Sequence, residues 1–243
     1  TQKTSWYNEP SAGITSFRGS RKEFPAVAVI VAEINPVYKV TIYDGDDPNL
    51  SLWMQWIYKT NDPFLDYSTP GSHHLGNYAP YALSAMNGIV CVGTLRSAGH
   101  LNNLNAGLRE FHFIEDTCFA TNNDKRVRFP TSIVDRNVVT VDYKQVSPNI
   151  QIANTNVNDV AMTVLPNAPI DEISGLPRPT IAVATDGGVS VIRDSKLAAD
   201  SDTSIYGRPF VKQIKFKGER LIGHVHQTGN TGDGVLFMET VNE

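Results

Sequence analysis

Three groups of side chains in this 243-residue chain have the types and spacing that chemistry needs. In GHVHQ, His224 and His226 stand two apart. On a strand this puts both imidazoles on one face, about 6.5 to 7 Å apart and within reach of a single metal. No third ligand can be assigned, and the alternation against Val225 favours a polar strand face over a metal site. His73 and His74 lie in the Pro/Gly loop TPGSHHLGN, where adjacent side chains diverge. In YDGDDPN, Asp44, Asp46 and Asp47 offer the hard oxygens that calcium prefers. Pro48 and Asn49 fall where an EF-hand loop needs its fifth-position oxygen and its glycine, so an acidic turn is expected at Asp44 and Asp46. No metal or cofactor is assigned.

Carboxylates form the second group. Glycosidases work with two of them roughly 5 to 10 Å apart. Asp44, Asp116, Asp135 and Asp194 fall at or near strand ends, and Asp135 and Asp159 are the best placed for such a pair. Two residues do not make a site, and no catalytic residue is assigned. The chain has no S-x-D-x-G-x-T-W box, no G-x-x-x-x-G-K-[ST] phosphate loop and no G-x-S-x-G elbow. The glycines of TDGGVS and GNTGDG therefore read as turn residues.

Aromatic rings are the third group. Trp53, Trp56, Tyr58, Phe64 and Tyr67 crowd one stretch, and Tyr78 and Tyr81 follow. Trp53, Trp56, Tyr58, Tyr67 and Tyr78 are the candidate binding residues, as stacking faces for a glycan; core packing competes for the same rings. The long polar loop 59–80 is the candidate recognition loop, since loops of that length are commonly functional.

The elements that must position these groups are strands. PAVAVIVAE, YKVTIYD, LSLWMQWIY, NGIVCVGT, LREFHFIED, TIAVATD, GVSVIRD, VKQIKFKG, RLIGHVH and GVLFMETV are short, rich in β-branched and aromatic residues, and bounded by Gly, Asn, Asp or Pro. The class is all-β. A run, a connection, two paired runs and a looser fourth run recur along the chain. This predicts a β-propeller, most simply of five four-stranded blades at about 13–67, 81–124, 131–155, 158–205 and 210–243. The copy at 131–155 is the degenerate one, and the N-terminal TSWYNEP is expected to close the last blade. A β-sandwich is the alternative architecture.

The dipeptides Tyr43-Asp44, Glu115-Asp116 and Arg193-Asp194 sit where WD-type blades carry their named pair, a similarity of architecture only. The stretch NDVAMTVLPNAPIDEISGLPRPTIAVATDGGVSVIRD, with PAVAVIVAE and YKVTIYDGDDPNLSLWMQW, resembles propeller-like virion and tail proteins of bacteriophages, especially aquatic ones. The resemblance implies a structural or host-recognition component of a virion, or an extracellular protein, whose partners are other virion proteins or a host surface glycan. It brings no catalytic residues. A glycan-binding or glycan-cleaving propeller is the alternative.

Composition narrows the partners. Twenty-one basic against 25 acidic residues give a formal charge of -4 with no basic block, so no nucleic-acid partner is expected. The longest apolar run, AVAVIVA, falls far short of the roughly 20 residues of a spanning helix, and no membrane partner is expected. TQKTSWYNEPS lacks the basic and apolar regions of a leader and begins without Met, so it reads as a trimmed start. Cys91 and Cys118 are expected to be buried free thiols.

Overall fold

The structure is a computed structural model that describes residues 3–11, 17–35, 37–57, 78–95, 106–137, 144–147, 150–193, 196–200, 209–227 and 233–239. It is all-β, as expected, and the sheets are antiparallel meanders that remain open. The first sheet holds β1 (Ala28–Glu33), β2 (Lys39–Asp44) and β3 (Leu52–Ile57). The second holds six strands: β4 (Ala79–Met86), β5 (Ile89–Leu95), β6 (Leu108–His112), β7 (Thr117–Thr121), β8 (Arg126–Arg128) and β9 (Lys144–Ser147). The third is β10 (Val157–Thr163), β11 (Thr180–Thr185), β12 (Gly188–Arg193) and β13 (Lys196–Asp200). The fourth is β14 (Pro209–Lys217), β15 (Arg220–Gln227) and β16 (Asp233–Glu239).

Strand alternation sends successive side chains into different cores. On β5, Val90 and Val92 enter a core shared with Val40, Ile42 and Trp56 of the first sheet. Cys91, between them, enters one shared with Val157, Val160 and Val183 of the third. On β11, Ile181 and Val183 face the second sheet, while Ala182 and Ala184 face Val211, Ile214 and Leu221 of the fourth. Period-two alternation with both sets apolar is what a strand buried on both faces requires. The four sheets are therefore stacked in chain order with a separate core at each junction. Their leading strands adjoin in the same order, β1 beside β4, β4 beside β10 and β10 beside β14. At Gly93 a side chain is excluded: a Cβ would lie 2.4 Å from Cγ1 of Val157, so glycine lets β5 approach the third sheet.

Three expectations change. At the start of the first predicted blade, the described residues of GITSFRGS pair with β3, at the opposite edge of the sheet from β1, the Gly19 N–H donating to the Trp53 carbonyl (2.9 Å) and the Gln55 N–H to the Phe17 carbonyl (2.8 Å). The described residues of 131–155 form no sheet of their own: Ile133–Asp135 is a 3-10 turn and β9 extends the second sheet beside β8. TSWYNEP does not pair with the last sheet, because Ser5–Asn8 is a 3-10 turn whose Trp6 is buried in the first core.

That N-terminal turn is held by residues far along the chain. The Trp6 indole N–H donates to the Phe113 carbonyl (2.7 Å). The Asp116 carboxylate accepts from the Ser5 backbone N–H (2.5 Å), the Ser5 hydroxyl (2.8 Å) and the Ile133 N–H (3.1 Å). The buried Arg136 pairs with Glu9 through both terminal nitrogens, at 2.8 and 3.0 Å.

Candidate functional site

The strand LREFH (β6) carries Arg109, Glu110 and His112, and all five of its residues are buried. Glu110 and His112 share a face with Leu108 and look toward the third sheet. Glu110 Oε2 accepts from Arg126 Nη2 at 2.8 Å and lies 3.2 Å from His112 Nε2; Thr121 Oγ1 donates to Oε1 at 3.4 Å. The Phe119 ring, opposite Glu110 in the register, packs against both side chains: Arg126 lies 4.3 Å over it and His112 meets it edge-on at 5.0 Å. Burial works against the Glu110 charge, but the Arg126 guanidinium and the bonds from His112 and Thr121 outweigh it and hold the carboxyl below its ordinary range.

Glu110 and His112 line a cleft between the second sheet and the segment that joins β10 to β11. The cleft spans about 570 Å³ with its open mouth included. The joining segment is fixed by Asp171. The Asp171 Oδ1 accepts from the N–H groups of Ile173 (3.1 Å) and Ser174 (2.9 Å) and from the Ser174 hydroxyl (2.9 Å), while Arg178 Nη2 donates to Oδ2 at 3.0 Å. Partial burial opposes this charge too, and the Ser174, Ile173 and Arg178 partners still lower its pKa. A bridge between Ile170 and Pro177 closes the segment's base.

The segment is also tied to the second sheet. Asn87 and Gly88 form the two-residue turn from β4 to β5, both with positive φ (48° and 75°), as the tight hairpin demands. The Asn87 side-chain amide donates to the Pro177 carbonyl at 2.7 Å. Arg178 reaches across to Glu115 at 3.5 Å.

The residues singled out in the sequence lie elsewhere. Trp53 and Trp56 are fully buried in the first core, where Trp6, Phe111 and Phe113 pack on them, and Tyr78 is buried as well. None of the three presents a ring face to a sugar. Tyr58, Tyr67, His73, His74 and Asp194 lie outside the described residues. His224 is exposed on β15, opposite Gln213 and Val235; His226 follows two positions later at the end of that strand, and its side chain lies outside the described residues.

Asp44 and Asp46 are occupied by protein donors. Arg21 Nη1 lies 2.7 Å from Asp44 Oδ1 and 2.8 Å from Asp46 Oδ2, and Asp46 also accepts the Ala26 and Val27 N–H groups. One guanidinium thus bridges two carboxylates of the turn. Among the described residues no group of three metal-ligating side chains comes together. Asp135 and Asp159 belong to different junctions. Asp135 ends the 3-10 turn beside the N-terminal segment, whereas Asp159 accepts the Val160 and Ile214 N–H groups (both 2.9 Å) where the third and fourth sheets meet. Both cysteines are buried thiols outside any disulfide, and burial pushes each well above its ordinary pKa.

The cleft was not visible in the sequence. Its one signal is the density of polar residues in LREFHFIED, a strand that follows an apolar one. Among the described residues no helix is long and apolar enough to cross a membrane. Neither a family model nor a curated protein sequence matches the chain.

Proposed function

We propose that the chain is a propeller-type interaction module of a bacteriophage particle, structural or host-recognising, that works without a catalytic centre of its own. The observation that carries the architecture is the serial stack: four sheets in chain order, leading strands adjoining, with a separate core at each junction. A two-sheet sandwich shares one core between its inner faces, whereas blades of a propeller pack successively on their neighbours. The phage setting rests on the resemblance of Asn158 to Asp194 and of the first-sheet segment to virion and tail proteins. A module of this kind meets its partners through turns and connections displayed by a rigid scaffold, here the Asp171-pinned segment. Quantitative mass spectrometry of purified virions tests the setting: a fixed copy number per particle is expected, and absence from the particle removes it.

Among the described residues the glycan-binding alternative retains one exposed ring, Tyr81, which is 60% exposed on β4. A glycan array tests it, with saturable binding that is lost on Tyr81→Ala as the supporting result.

A further inference from the structure

We infer that His112 is a pH-sensitive clasp: on gaining a proton it joins two halves of a row of charges and tightens the segment between β10 and β11 onto the second sheet. The inference rests on the internal pairing of the cleft alone and stands apart from the phage setting proposed above. Six side chains follow one another from the interior to the surface. Arg126 Nη2 lies 2.8 Å from Glu110 Oε2, which lies 3.2 Å from His112 Nε2. His112 Nδ1 lies 4.0 Å from Glu115 Oε2. The other Glu115 oxygen faces Arg178 Nη2 at 3.5 Å, and Arg178 reaches Asp171 Oδ2 at 3.0 Å. Arg126 and Glu110 are fixed in the sheet, whereas Arg178 and Asp171 belong to the segment. With a charged imidazole in the middle, the signs alternate along the whole row.

A neutral imidazole leaves one joint open. The Glu110 carboxylate only accepts, so Nε2 carries the proton, and the Nδ1 lone pair is turned toward a second carboxylate. Two acceptors 4.0 Å apart do not attract. A proton on Nδ1 makes that joint a charge-assisted contact. Because Glu115 offers different oxygens to His112 and Arg178, it holds both at once. The rest of the row keeps its charge while a histidine titrates, between about pH 5 and 8. Arg126 holds Glu110 below its ordinary range, and the Ser174, Ile173 and Arg178 partners do the same for Asp171. The other described neighbours bring no charge: β5 and the third sheet contribute Ile89, Ile181 and Ile192 to the cleft, and β7 sets Thr117 and Phe119 beside it. The segment so held displays Ile173 and Leu176, 69% and 43% exposed, and the clasp sets how rigidly they are displayed.

Amide hydrogen exchange on the full chain between pH 7.5 and 5.5 tests this. The reporters are three N–H groups inside the segment, Asp171 to the Leu176 carbonyl, Gly175 to Asp171 and Arg178 to Pro169. After division by the intrinsic exchange rate at each pH, their protection should rise about two- to fivefold on acidification, the size of one partly exposed ion pair. The Gln55 N–H, bonded to Phe17 in the first sheet, should show no such step. Nitrogen-resolved imidazole spectra should show His112 Nδ1 gaining its proton over the same interval. His112→Gln keeps a donor for Glu110 but no titrating charge, and should remove the step. Glu115→Gln, on the partly exposed turn after β6, should remove it too and serves should the first variant melt early.

The inference is overturned by protection that does not change with pH, or by a step that survives in both variants. A step whose midpoint departs from the His112 titration assigns it to another group and overturns the inference as well. Protection that falls on acidification would show that His112 draws Glu115 away from Arg178, the reverse of a clasp.

Discussion

The junction between the first and second sheets is filled with rings, and the junction between the third and fourth with methyl groups. At the first, Trp6, Phe24, Trp53 and Phe113 meet with centroids 4.9 to 5.7 Å apart, and Trp56 stacks at a tilt on Phe111 at 4.7 Å. At the last, Ala182, Ala184, Val189 and Val191 face Val211, Ile214 and Leu221. The polar ties differ in the same direction. Arg18 is buried beside the first core, donating to the Trp53 carbonyl at 2.8 Å with its guanidinium 4.5 Å over the Trp53 ring. Burial lowers its pKa to about 10, which leaves it charged at neutral pH. The last junction is tied by Asp159 to the Ile214 N–H and by the Asn158 amide to the Val211 carbonyl. Small side chains suffice where two sheets face each other directly. Where a 3-10 turn and Phe24 wedge between sheets, rings must fill the space and long cations must satisfy the carbonyls exposed there.

The strongest way to break this comparison is Trp6→Ala. Loss of a fully enclosed ring should cost about 3 to 5 kcal/mol in urea unfolding, against about 1 to 2 kcal/mol for Val211→Ala at the last junction. Equal losses would mean that the two junctions are energetically alike. The middle junction offers the next effect. Glu110→Gln leaves the buried Arg126 without its counter-charge and should cost about 3 kcal/mol at neutral pH.

The pH dependence of that variant has a defined sign. The Glu110 carboxyl titrates below its ordinary 4.5 in the folded state, so its stabilisation is present at neutral pH and fades as pH falls below 4.5 through the lower folded value. Melting temperatures measured down that range should fall less steeply in the variant than in the parent chain.

Asp159 has the opposite sign and a smaller effect. Burial raises its folded pKa above 3.8, so its contribution is fully present below 3.8 and is lost as pH rises through the higher folded value. Asp159→Ala should cost about 1 kcal/mol by leaving two N–H groups without their acceptor, and should flatten that part of the pH profile. An unchanged profile would show that the last junction does not depend on this carboxylate. The smallest effect is expected of calcium. With Arg21 already on Asp44 and Asp46, millimolar calcium should leave the melting temperature where it is, and a rise would show that the ion displaces Arg21.

The strands of the last three sheets were legible because their pattern is local. NGIVCVGT, TIAVATD, GVSVIRD, RLIGHVH and GVLFMETV announce themselves by β-branched content and turn residues, and each pairs with its neighbour in sequence. What was not legible depends on distant partners. Phe17 to Gly19 pairs with β3 across the two intervening strands, and TSIVDRN bends into a 3-10 turn beneath Asp116. Trp53 and Trp56 read equally as stacking faces or core until the second sheet is laid over them. Glu110 and His112 alternate with Phe111, which in isolation is the pattern of a solvent-facing strand side. Only the third sheet, more than 40 residues on, turns that side into the wall of a cleft.

The N-terminal turn has a consequence for the order in which the chain is made. Trp6 donates to Phe113, Ser5 to Asp116, and Glu9 waits for Arg136, separations of 107, 111 and 127 residues. At ribosomal rates of roughly 5 to 20 residues per second, Trp6 is synthesised about 5 to 20 s before its acceptor. The sheets that come later close on neighbours that have just emerged. The first sheet, though made first, is the one whose packing must be completed after the second, and a holding chaperone would find its binding window there.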